Sequence, residues 1–310
     1  MKRAIITGAT GMLGIALVKK LINKNIHITA IVRPGSSRVK RLPVHKNICI
    51  VECELSQLLL LKDQLIGRYD YFFHFAWDGT YGNARNDMHL QNANIEGTLA
   101  AVDLAHHLGC TAFLGAGSQA EYGSVSGKLT PDTPANPQTG YGMAKLCAGQ
   151  MSRIMCQSYG IRHIWMRILS TYGPYDGMHT MVVSGILQML QNQKPQYTKG
   201  EQMWDYLYCD DAANAFYLAA LRGPDSAVYC LGSGNARPLA DYIKDIRDVV
   251  SPGCDIGFGE IPYYPNQVMY LCADISSLTK DTGFMPEKNF KDGIFETEKW
   301  LREVISNEKD

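Results

Sequence analysis

The sequence predicts an α/β fold, in which helices cover both faces of a doubly wound parallel sheet, with a second, smaller C-terminal lobe. Short and nearly continuous apolar runs alternate with segments whose apolar residues recur at helical spacing, as in "RAIITG" followed by "MLGIALVKKLINKN". Strands that are buried on both faces have this apolar character. A turn with three glycines joins the first strand to the first helix. This arrangement is typical of sheets that bind a ligand at their carboxyl edge.

The remaining elements of the first part follow in the order that such a sheet requires. Strands are predicted in "IHITAIV", "NICIVEC" and "YDYFFHFA", with an apolar helix in "SQLLLLKDQLIG" between the last two. A long helix is predicted from about residue 85 to residue 108, and a strand follows in "TAFLGA". The next elements are a helix from residue 141 to about residue 159 and a strand in "RHIWMRIL". The alternation of strands and helices favours a parallel sheet.

The pattern becomes less regular after Ser170, where glycine, proline and aromatic residues are more frequent. One further strand and helix are predicted in "WDYLYCDDAANAFYLAAL". We expect residues 1–169 to form the sheet domain, with about 204–232 returning to it. Residues 170–310 are expected to form a lobe that caps the substrate over the carboxyl edge of the sheet.

The composition excludes several classes of partner. The chain has 310 residues, of which 30 are Lys or Arg and 30 are Asp or Glu, so its neutral charge gives no sign of a nucleic-acid partner. No apolar segment has the length of a membrane span, and the first apolar run is too short for a signal peptide. The nine cysteines are scattered without metal-ligand spacing. This pattern indicates reduced cysteines in a cytoplasmic protein and no metal site.

The glycine turn in "TGATGMLG" predicts a Rossmann-type dinucleotide site. Gly8, Gly11 and Gly14 follow the first strand and open the first helix. Such glycines permit a tight turn, close approach of the backbone to a pyrophosphate, and close packing of helix on strand. The helix N-terminus adds unpaired N–H donors. The alternative is a glycine-rich structural turn. The other loop residues assigned to the cofactor are Thr10, Met12 and Leu13.

The end of the second predicted strand favours NADP(H) over NAD(H). An acidic residue usually stands here to bind the ribose 2′-hydroxyl of NAD. This chain has Arg33 instead, followed by Ser36, Ser37 and Arg38. A guanidinium and hydroxyls would bind the 2′-phosphate of NADP, which a carboxylate would repel. The alternative is a pair of solvated surface arginines. Glu54 and Leu55, after the third strand, are expected near the adenine.

Three polar residues form the candidate catalytic set. Tyr141 and Lys145 in "YGMAK" are four residues apart and so share one face of a helix. A free tyrosine has a pKa of about 10, and a neighbouring ammonium would lower it toward neutral pH. Tyr141 and Lys145 are also assigned to the cofactor, where Lys145 could hold the nicotinamide ribose. Ser118 in "AGSQAEYG" could then donate a hydrogen bond to a substrate oxygen. The alternative is an exposed tyrosine–lysine pair. Although "AGSQAEYG" nearly matches the hydrolase motif G-x-S-x-G, no His–carboxylate pair at hydrolase spacing activates Ser118 as a nucleophile.

Over nearly its whole length the chain resembles the extended short-chain dehydrogenase/reductases, in the nucleotide-sugar epimerase/dehydratase branch. The matching motifs are "TGATGMLG", "NANIEGTL", "GSQAEYG", "YGMAK", "RILSTYGP", "WDYLYCDDAANA" and "DTGFMP…DGIFETEKWL". The resemblance implies that Ser118, Tyr141 and Lys145 are catalytic, and that Ala76 and Asn94 lie at the cofactor. It also implies a homodimer formed by the long helix near residues 85–108 and the helix that carries Tyr141.

Differences from the family motifs limit the reactions that the chain is expected to catalyse. Relatives that remove water carry an Asp-Glu pair after the catalytic hydroxyl, and this chain has Gln119 and Ala120 there. The resemblance therefore excludes a 4,6-dehydratase, and we interpret Glu121 as structural. Ser170 and Trp204 stand where the family commonly has Asn and a phosphate-binding Arg. The residues assigned to the substrate are Trp77, Ser118, Gln119, Ser170, Trp204 and Arg237. Two interpretations of Trp77 are equally supported: it forms a wall of the sugar pocket, or it is a buried core residue.

These observations predict an NADPH-dependent reduction of a keto group on a nucleoside-diphosphate sugar. The resemblance to hexose 4-reductases places that group at C4 of a 4-keto-6-deoxyhexose. Tyr141 would protonate the developing alkoxide, Ser118 would polarise the carbonyl, and Lys145 would tune the tyrosine. Two alternatives stay open: a C4 epimerase with tightly bound cofactor, and a non-catalytic regulator that binds NADP.

Overall fold

The computed structural model describes residues 1–265 and 267–307, which form thirteen strands and eight α-helices. The strands are β1 (Arg3–Thr7), β2 (His27–Val32), β3 (Ile48–Glu52), β4 (Tyr71–His74), β5 (Ala112–Ser118), β6 (Arg162–Ile168), β7 (Ser170–Tyr172), β8 (Gln196–Tyr197), β9 (Met203–Trp204), β10 (Tyr206–Tyr208), β11 (Ala227–Leu231), β12 (Arg237–Pro238) and β13 (Gly257–Phe258). The helices are α1 (Met12–Ile22), α2 (Met88–His107), α3 (Gly140–Tyr159), α4 (Met181–Leu190), α5 (Cys209–Arg222), α6 (Leu239–Val250), α7 (Ser276–Thr282) and α8 (Phe290–Asn307).

Seven strands form one parallel sheet in the order β11-β6-β5-β4-β1-β2-β3. Every pairing within it is parallel. The strand order reverses between β1 and β4, and a crevice opens at such a switch point outside the carboxyl ends of the strands. Thr7, at the end of β1, lies opposite His74 of β4 and Ile31 of β2. The predicted doubly wound α/β fold is therefore confirmed.

Helices bury both faces of this sheet. Successive side chains of a strand point to opposite faces, so Ile5 and Ile6 of β1 enter different apolar clusters. Ile6 shares one cluster with Leu17 of α1, which packs beside α5. Ile5 shares the other with Val102 of α2, which packs beside α3. Burial on both sides explains why the strands read as continuous apolar runs.

The prediction of an apolar helix in "SQLLLLKDQLIG" is wrong about the type of helix. Leu55–Asp63 form a 3₁₀ helix. Four consecutive leucines cannot all face the core, and only Leu58 and Leu61 are buried, whereas Leu59 and Leu60 are exposed. A spacing of three residues between the buried leucines matches the three-residue turn of a 3₁₀ helix.

The two long helices begin within three residues of their predicted starts, where capping side chains stand. Asp87 caps α2 by accepting a hydrogen bond from the Leu90 N–H at 3.1 Å. The helix predicted from about residue 85 therefore begins at Met88. Thr139 caps α3 by accepting from the Gly142 N–H at 3.1 Å. This cap satisfies one of the free N–H groups of the first turn and fixes where Tyr141 stands.

The later part of the chain forms short two-stranded pairings and returns once to the main sheet. β7 pairs with β10, β9 with β12, and β8 with β13. β11 joins the main sheet beside β6, and α5 packs on α1. The division into a sheet domain and a capping lobe stays a prediction. Among the described residues, no helix combines the length and the apolar character needed to cross a membrane.

Candidate active site

At the glycine turn after β1, the backbone lies close to the backbone of the loop that follows β4. Gly8 has a φ of +70°, and a Cβ there would lie 2.7 Å from the Ala76 nitrogen, in the loop after β4. A Cβ at Gly14 would lie 2.3 Å from the Gly8 carbonyl oxygen. The N-cap of α1 is Gly11, and within the described chain no side chain caps it and no acidic residue occupies the first turn. The first N–H groups of α1 are therefore free to bind an anion.

A groove of about 670 Å³ runs along the carboxyl edge of β1, β2, β3 and β4. Most residues predicted to bind the cofactor line it. They are Gly8, Thr10, Gly11, Arg33, Ser36, Arg38, Glu54, Leu55 and Ala76. The predicted substrate residue Trp77 also lines this groove, together with Asp78. Met12, Leu13 and Gly14 lie in the first turn of α1, behind the glycine turn.

Arg33 and Asp78 form an ion pair at the groove, and both side chains remain substantially exposed. The side chain of Asn94, on α2, forms two hydrogen bonds with the backbone of Asp78. Its Oδ1 accepts from the Asp78 N–H at 2.9 Å, and its Nδ2 donates to the Asp78 carbonyl oxygen at 2.9 Å. Asn94 is buried and is absent from the groove lining. Both atoms of its amide group bond the Asp78 backbone, so Asn94 would act on a cofactor only through the loop that contains Asp78.

The three predicted catalytic side chains meet where β5 ends and α3 begins. Ser118 is the last residue of β5, and Tyr141 and Lys145 lie in the first two turns of α3. The Ser118 hydroxyl lies close enough to the Tyr141 hydroxyl to lower the pKa of that phenol. Gly142 permits this approach, because a Cβ there would lie 2.3 Å from the carbonyl oxygen of Ala120.

The charges around Tyr141 differ from the sequence-based expectation. Burial raises the pKa of Tyr141, and the nearby Ser118 hydroxyl and the charge of Arg85 oppose this rise. The Arg85 guanidinium carbon lies 4.4 Å from the centre of the Tyr141 ring, closer than the Lys145 ammonium at 5.9 Å. Lys145 is not among the groups that set this pKa shift, so its predicted effect on Tyr141 stays a prediction. Arg85 is the nearer cation, and sequence reasoning missed it.

Lys145 is itself buried, and burial lowers its pKa to about 7. Its ammonium donates a hydrogen bond to the Ala116 carbonyl oxygen at 2.7 Å. It also lies 3.6 Å from the centre of the Trp77 ring. The Trp77 ring meets Tyr141 edge-on, at 6.1 Å between ring centres. Trp77 therefore connects the groove to the catalytic side chains.

Gln91 of α2 fixes Trp77, and sequence reasoning missed it. The Trp77 indole N–H donates to the Gln91 side-chain oxygen at 2.9 Å. The Gln91 amide group donates to the carbonyl oxygens of Gly79 and Ala84. Gln91 and Asn94 are three residues apart and face the same loop. Two amides at helical spacing in a segment rich in polar residues were the available signal.

Glu121 is fully buried, and both of its carboxylate oxygens accept hydrogen bonds. One carboxylate oxygen accepts hydrogen bonds from the Ser118 N–H at 2.8 Å and from the Trp165 indole N–H at 2.9 Å. The other accepts from the Arg167 side chain at 2.7 Å. Its interpretation as a structural residue agrees with these contacts.

The other predicted substrate residues make protein contacts in this structure. The Trp204 indole donates to the Ser170 hydroxyl at 2.9 Å. Arg237 forms an ion pair with Asp245 and lies 4.0 Å from the centre of the Tyr242 ring. Gln119 is half-buried directly after β5. The groove is not lined by these four residues, so their assignment to the substrate stays a prediction.

The fold resembles solved nucleotide-sugar enzymes. A UDP-glucose 4-epimerase from Thermotoga maritima, crystallised with UDP-glucose, superposes with a TM-score of 0.87 at 21% identity, covering 98% of this chain and 99% of that one. A dTDP-glucose 4,6-dehydratase from Bacillus anthracis in complex with NAD superposes with a TM-score of 0.84 at 20% identity, covering 99% and 98%.

Sequence comparison assigns the family. A dTDP-glucose 4,6-dehydratase from Streptomyces niveus is 23% identical over 97% of this chain and 93% of its own length. Residues 4–232, which are well over half of the chain, match the model of the NAD dependent epimerase/dehydratase family. The protein therefore belongs to this family of enzymes, whose cofactor is a nicotinamide dinucleotide.

Proposed function

We propose that the protein reduces a keto group of a nucleoside-diphosphate sugar, with NADPH as the hydride donor. The favoured group is the C4 carbonyl of a 4-keto-6-deoxyhexose. One observation carries the proposal: Trp77 lines the groove that begins at the glycine turn and also contacts both Tyr141 and Lys145. The residues that would hold a dinucleotide and those that would move a proton therefore meet at one side chain.

The residues of the groove fit a dinucleotide. A Cβ at Gly8 would fill the space beside Ala76, and the uncapped N-terminus of α1 offers N–H donors to a pyrophosphate. When bound, a nicotinamide dinucleotide supplies or removes a hydride. Arg33, Ser36 and Arg38 support NADP(H), because they present positive charge and a hydroxyl where a 2′-phosphate would lie.

Tyr141 supplies the proton in this proposal. Burial raises its pKa, so the phenol keeps its proton at neutral pH. A protonated phenol is ready to donate to an alkoxide that develops on a keto carbon, whereas an alcohol oxidation needs a phenolate to accept a proton. Ser118 would donate a second hydrogen bond to the same oxygen. Tyr141 can therefore act as the acid of a reduction.

Elimination of water is disfavoured although relatives are named as dehydratases. Such a reaction needs an acid and a base beside the hydroxyl-bearing carbon. Gln119 and Ala120 carry no ionisable group, and both carboxylate oxygens of Glu121 already accept hydrogen bonds from Ser118, Trp165 and Arg167. These side chains cannot replace the acid–base pair.

A second candidate is a C4 epimerase that keeps its cofactor bound. The likeness in fold to the Thermotoga maritima UDP-glucose 4-epimerase favours it. The third candidate, a regulator that binds NADP without turnover, is disfavoured by the assembled Ser118, Tyr141 and Lys145.

The protein is also proposed to form a homodimer through α2 and α3. These two helices pack together and carry exposed apolar side chains, which are Met88, Met143, Met151 and Ile154. Light scattering of the purified protein tests this: a mass near twice that of one chain is expected, and a monomer would contradict it.

The reaction is tested in two parallel assays, in which the protein and NADPH are mixed either with a panel of 4-keto-6-deoxy nucleotide sugars or with the corresponding 4-hydroxy sugars. The absorbance of the reduced nicotinamide is followed, and the sugars are then separated by chromatography. Consumption of NADPH with formation of a 4-hydroxy sugar is expected. Interconversion of 4-hydroxy sugars without consumption of NADPH would instead establish the epimerase.

A further inference from the structure

We propose that Trp77 is a positioning residue, whose indole face holds the Lys145 ammonium beside Tyr141, and that Gln91 in turn holds the indole. The inference rests on the proposed function, because it assigns a role to residues of that site. It follows from three sets of contacts.

The first set surrounds the Lys145 ammonium. The side chain is buried, and among the described residues its single hydrogen bond goes to the Ala116 carbonyl oxygen. The Glu121 carboxylate, whose charge raises the pKa of Lys145, already accepts hydrogen bonds from Ser118, Trp165 and Arg167. The Trp77 ring, 3.6 Å from Nζ to its centre, covers the ammonium. Cation–π attraction is strongest where the cation is desolvated, as here.

The second set comprises the other titratable groups near Lys145. His74 at the end of β4 is neutral, because burial and then the charge of Lys145 lower its pKa to about 3. Tyr141 on α3 keeps its proton, since burial raises its pKa. Glu121, after β5, favours the charged lysine. Three groups therefore oppose the loss of the Lys145 charge: the Glu121 carboxylate, the Ala116 carbonyl oxygen and the indole face of Trp77.

The third set fixes the indole. Its N–H donates to the Gln91 oxygen, and Gln91 is bonded on its other side to Gly79 and Ala84. Gln91 is buried on α2, so the loop after β4 is tied to a helix of the core. The hydrogen bond to Gln91 therefore holds the indole through a contact that does not involve Lys145.

The test is nuclear magnetic resonance of the full-length protein labelled with ¹³C-lysine, without cofactor or substrate. The Lys145 resonance is assigned from its absence in Lys145→Met. Protons near the centre of an indole face are shifted upfield by the ring current. We expect the side-chain protons of Lys145 to show this shift in the unsubstituted protein, and ordinary lysine shifts there would overturn the proposal before any Trp77 variant is made.

Variants then test separately the indole face of Trp77 and its hydrogen bond to Gln91. In Trp77→Leu the upfield shift should vanish, and the pKa of Lys145 should fall by about half a unit or more. Trp77→Phe should keep most of both effects, because it retains an aromatic face. Gln91→Leu should reduce the upfield shift, because the indole loses its hydrogen-bond partner. Trp300→Leu, which removes another half-buried indole, should change neither. An unchanged pKa of Lys145 in Trp77→Leu would overturn the proposal.

Turnover provides the functional readout. A lower pKa of Lys145 should move the alkaline loss of kcat in Trp77→Leu to lower pH, and Trp77→Phe should restore the original profile. The resonance measurement needs no turnover, so its failure counts against the positioning of Lys145. A silent assay with the unsubstituted protein counts against the proposed function.

Discussion

The carboxylate of Glu121 accepts a hydrogen bond from the backbone N–H of Ser118 at 2.8 Å, three residues earlier in the chain. The Ser118 hydroxyl in turn accepts from the Ala120 N–H at 3.1 Å, which completes a reciprocal cap. Arg167 of β6 balances the buried charge of Glu121. The position of Ser118 beside Tyr141 is therefore fixed by an ion pair from the neighbouring strand.

Replacement of Glu121 by Gln should destabilise the protein severely. The change leaves Arg167 buried without a counter-charge, and breaking a buried pair costs about 3–5 kcal/mol. Urea denaturation measures this loss. Asp241→Asn is the matched control, because Asp241 forms an exposed pair with Lys244 and its loss should cost less than about 1 kcal/mol. Similar small losses in both variants would contradict the account of Glu121.

Replacement of Tyr141 by Phe should remove turnover and leave cofactor binding intact. The ring keeps its contact with Trp77, but the proton donor is lost, and general acid catalysis contributes about 10²–10⁴-fold to rate. Steady-state kinetics measure kcat, and titration of NADPH fluorescence measures Kd. Retention of full turnover would exclude Tyr141 as the acid.

Replacement of Arg33 by Met should weaken NADP(H) about tenfold and change NAD(H) little, because a charge-assisted hydrogen bond to a phosphate is lost. Asp78→Asn should have the opposite effect on NADP(H), since it releases Arg33 from its ion pair. Isothermal titration calorimetry of the unsubstituted protein and both variants, each with both cofactors, measures the six affinities. If Arg33→Met weakened both cofactors equally, the assignment of Arg33 to the 2′-phosphate would be wrong.

Stability should decrease below neutral pH because of two buried histidines. Burial lowers the pKa of His74 to about 3 and that of His163 to about 4. In the unfolded chain a histidine titrates near pH ~6.5, so unfolding takes up protons below that pH. The stabilisation is thus complete above pH ~6.5 and is lost as the pH falls toward the folded values, by about 1.4 kcal/mol per pH unit for each histidine.

Urea denaturation at several pH values measures this dependence. In His163→Gln the slope should decrease by about 1.4 kcal/mol per pH unit around pH ~5. The exposed His89 on α2 provides the control, and His89→Gln should keep the slope of the unsubstituted protein. An unchanged slope in His163→Gln would show that His163 is not held neutral.

Local sequence signals predicted the elements that carry the site. The strand, the glycine turn and α1 follow from apolar periodicity and glycine spacing, and α3 begins at Gly140, one residue before the predicted start at Tyr141. The confirmed family assignment also came from motifs in the sequence.

Contacts between distant segments were not predictable in the same way. Arg85 reaches Tyr141 and Arg33 reaches Asp78 across gaps of tens of residues, and these contacts depend on how loops lie over the sheet. The burial that raises the pKa of Tyr141 likewise depends on packing and not on its neighbours in sequence. The substrate roles of Ser170, Trp204 and Arg237 stay predictions.

Transfer of isotope from cofactor to sugar tests the central claim most directly. The protein is incubated with NADPH that carries deuterium at the transferable position, and with the keto sugar that gives turnover, and the product is analysed by mass spectrometry. The account predicts that each reduced sugar gains one deuterium as one NADPH is consumed. A product formed without deuterium and without consumption of NADPH would contradict it.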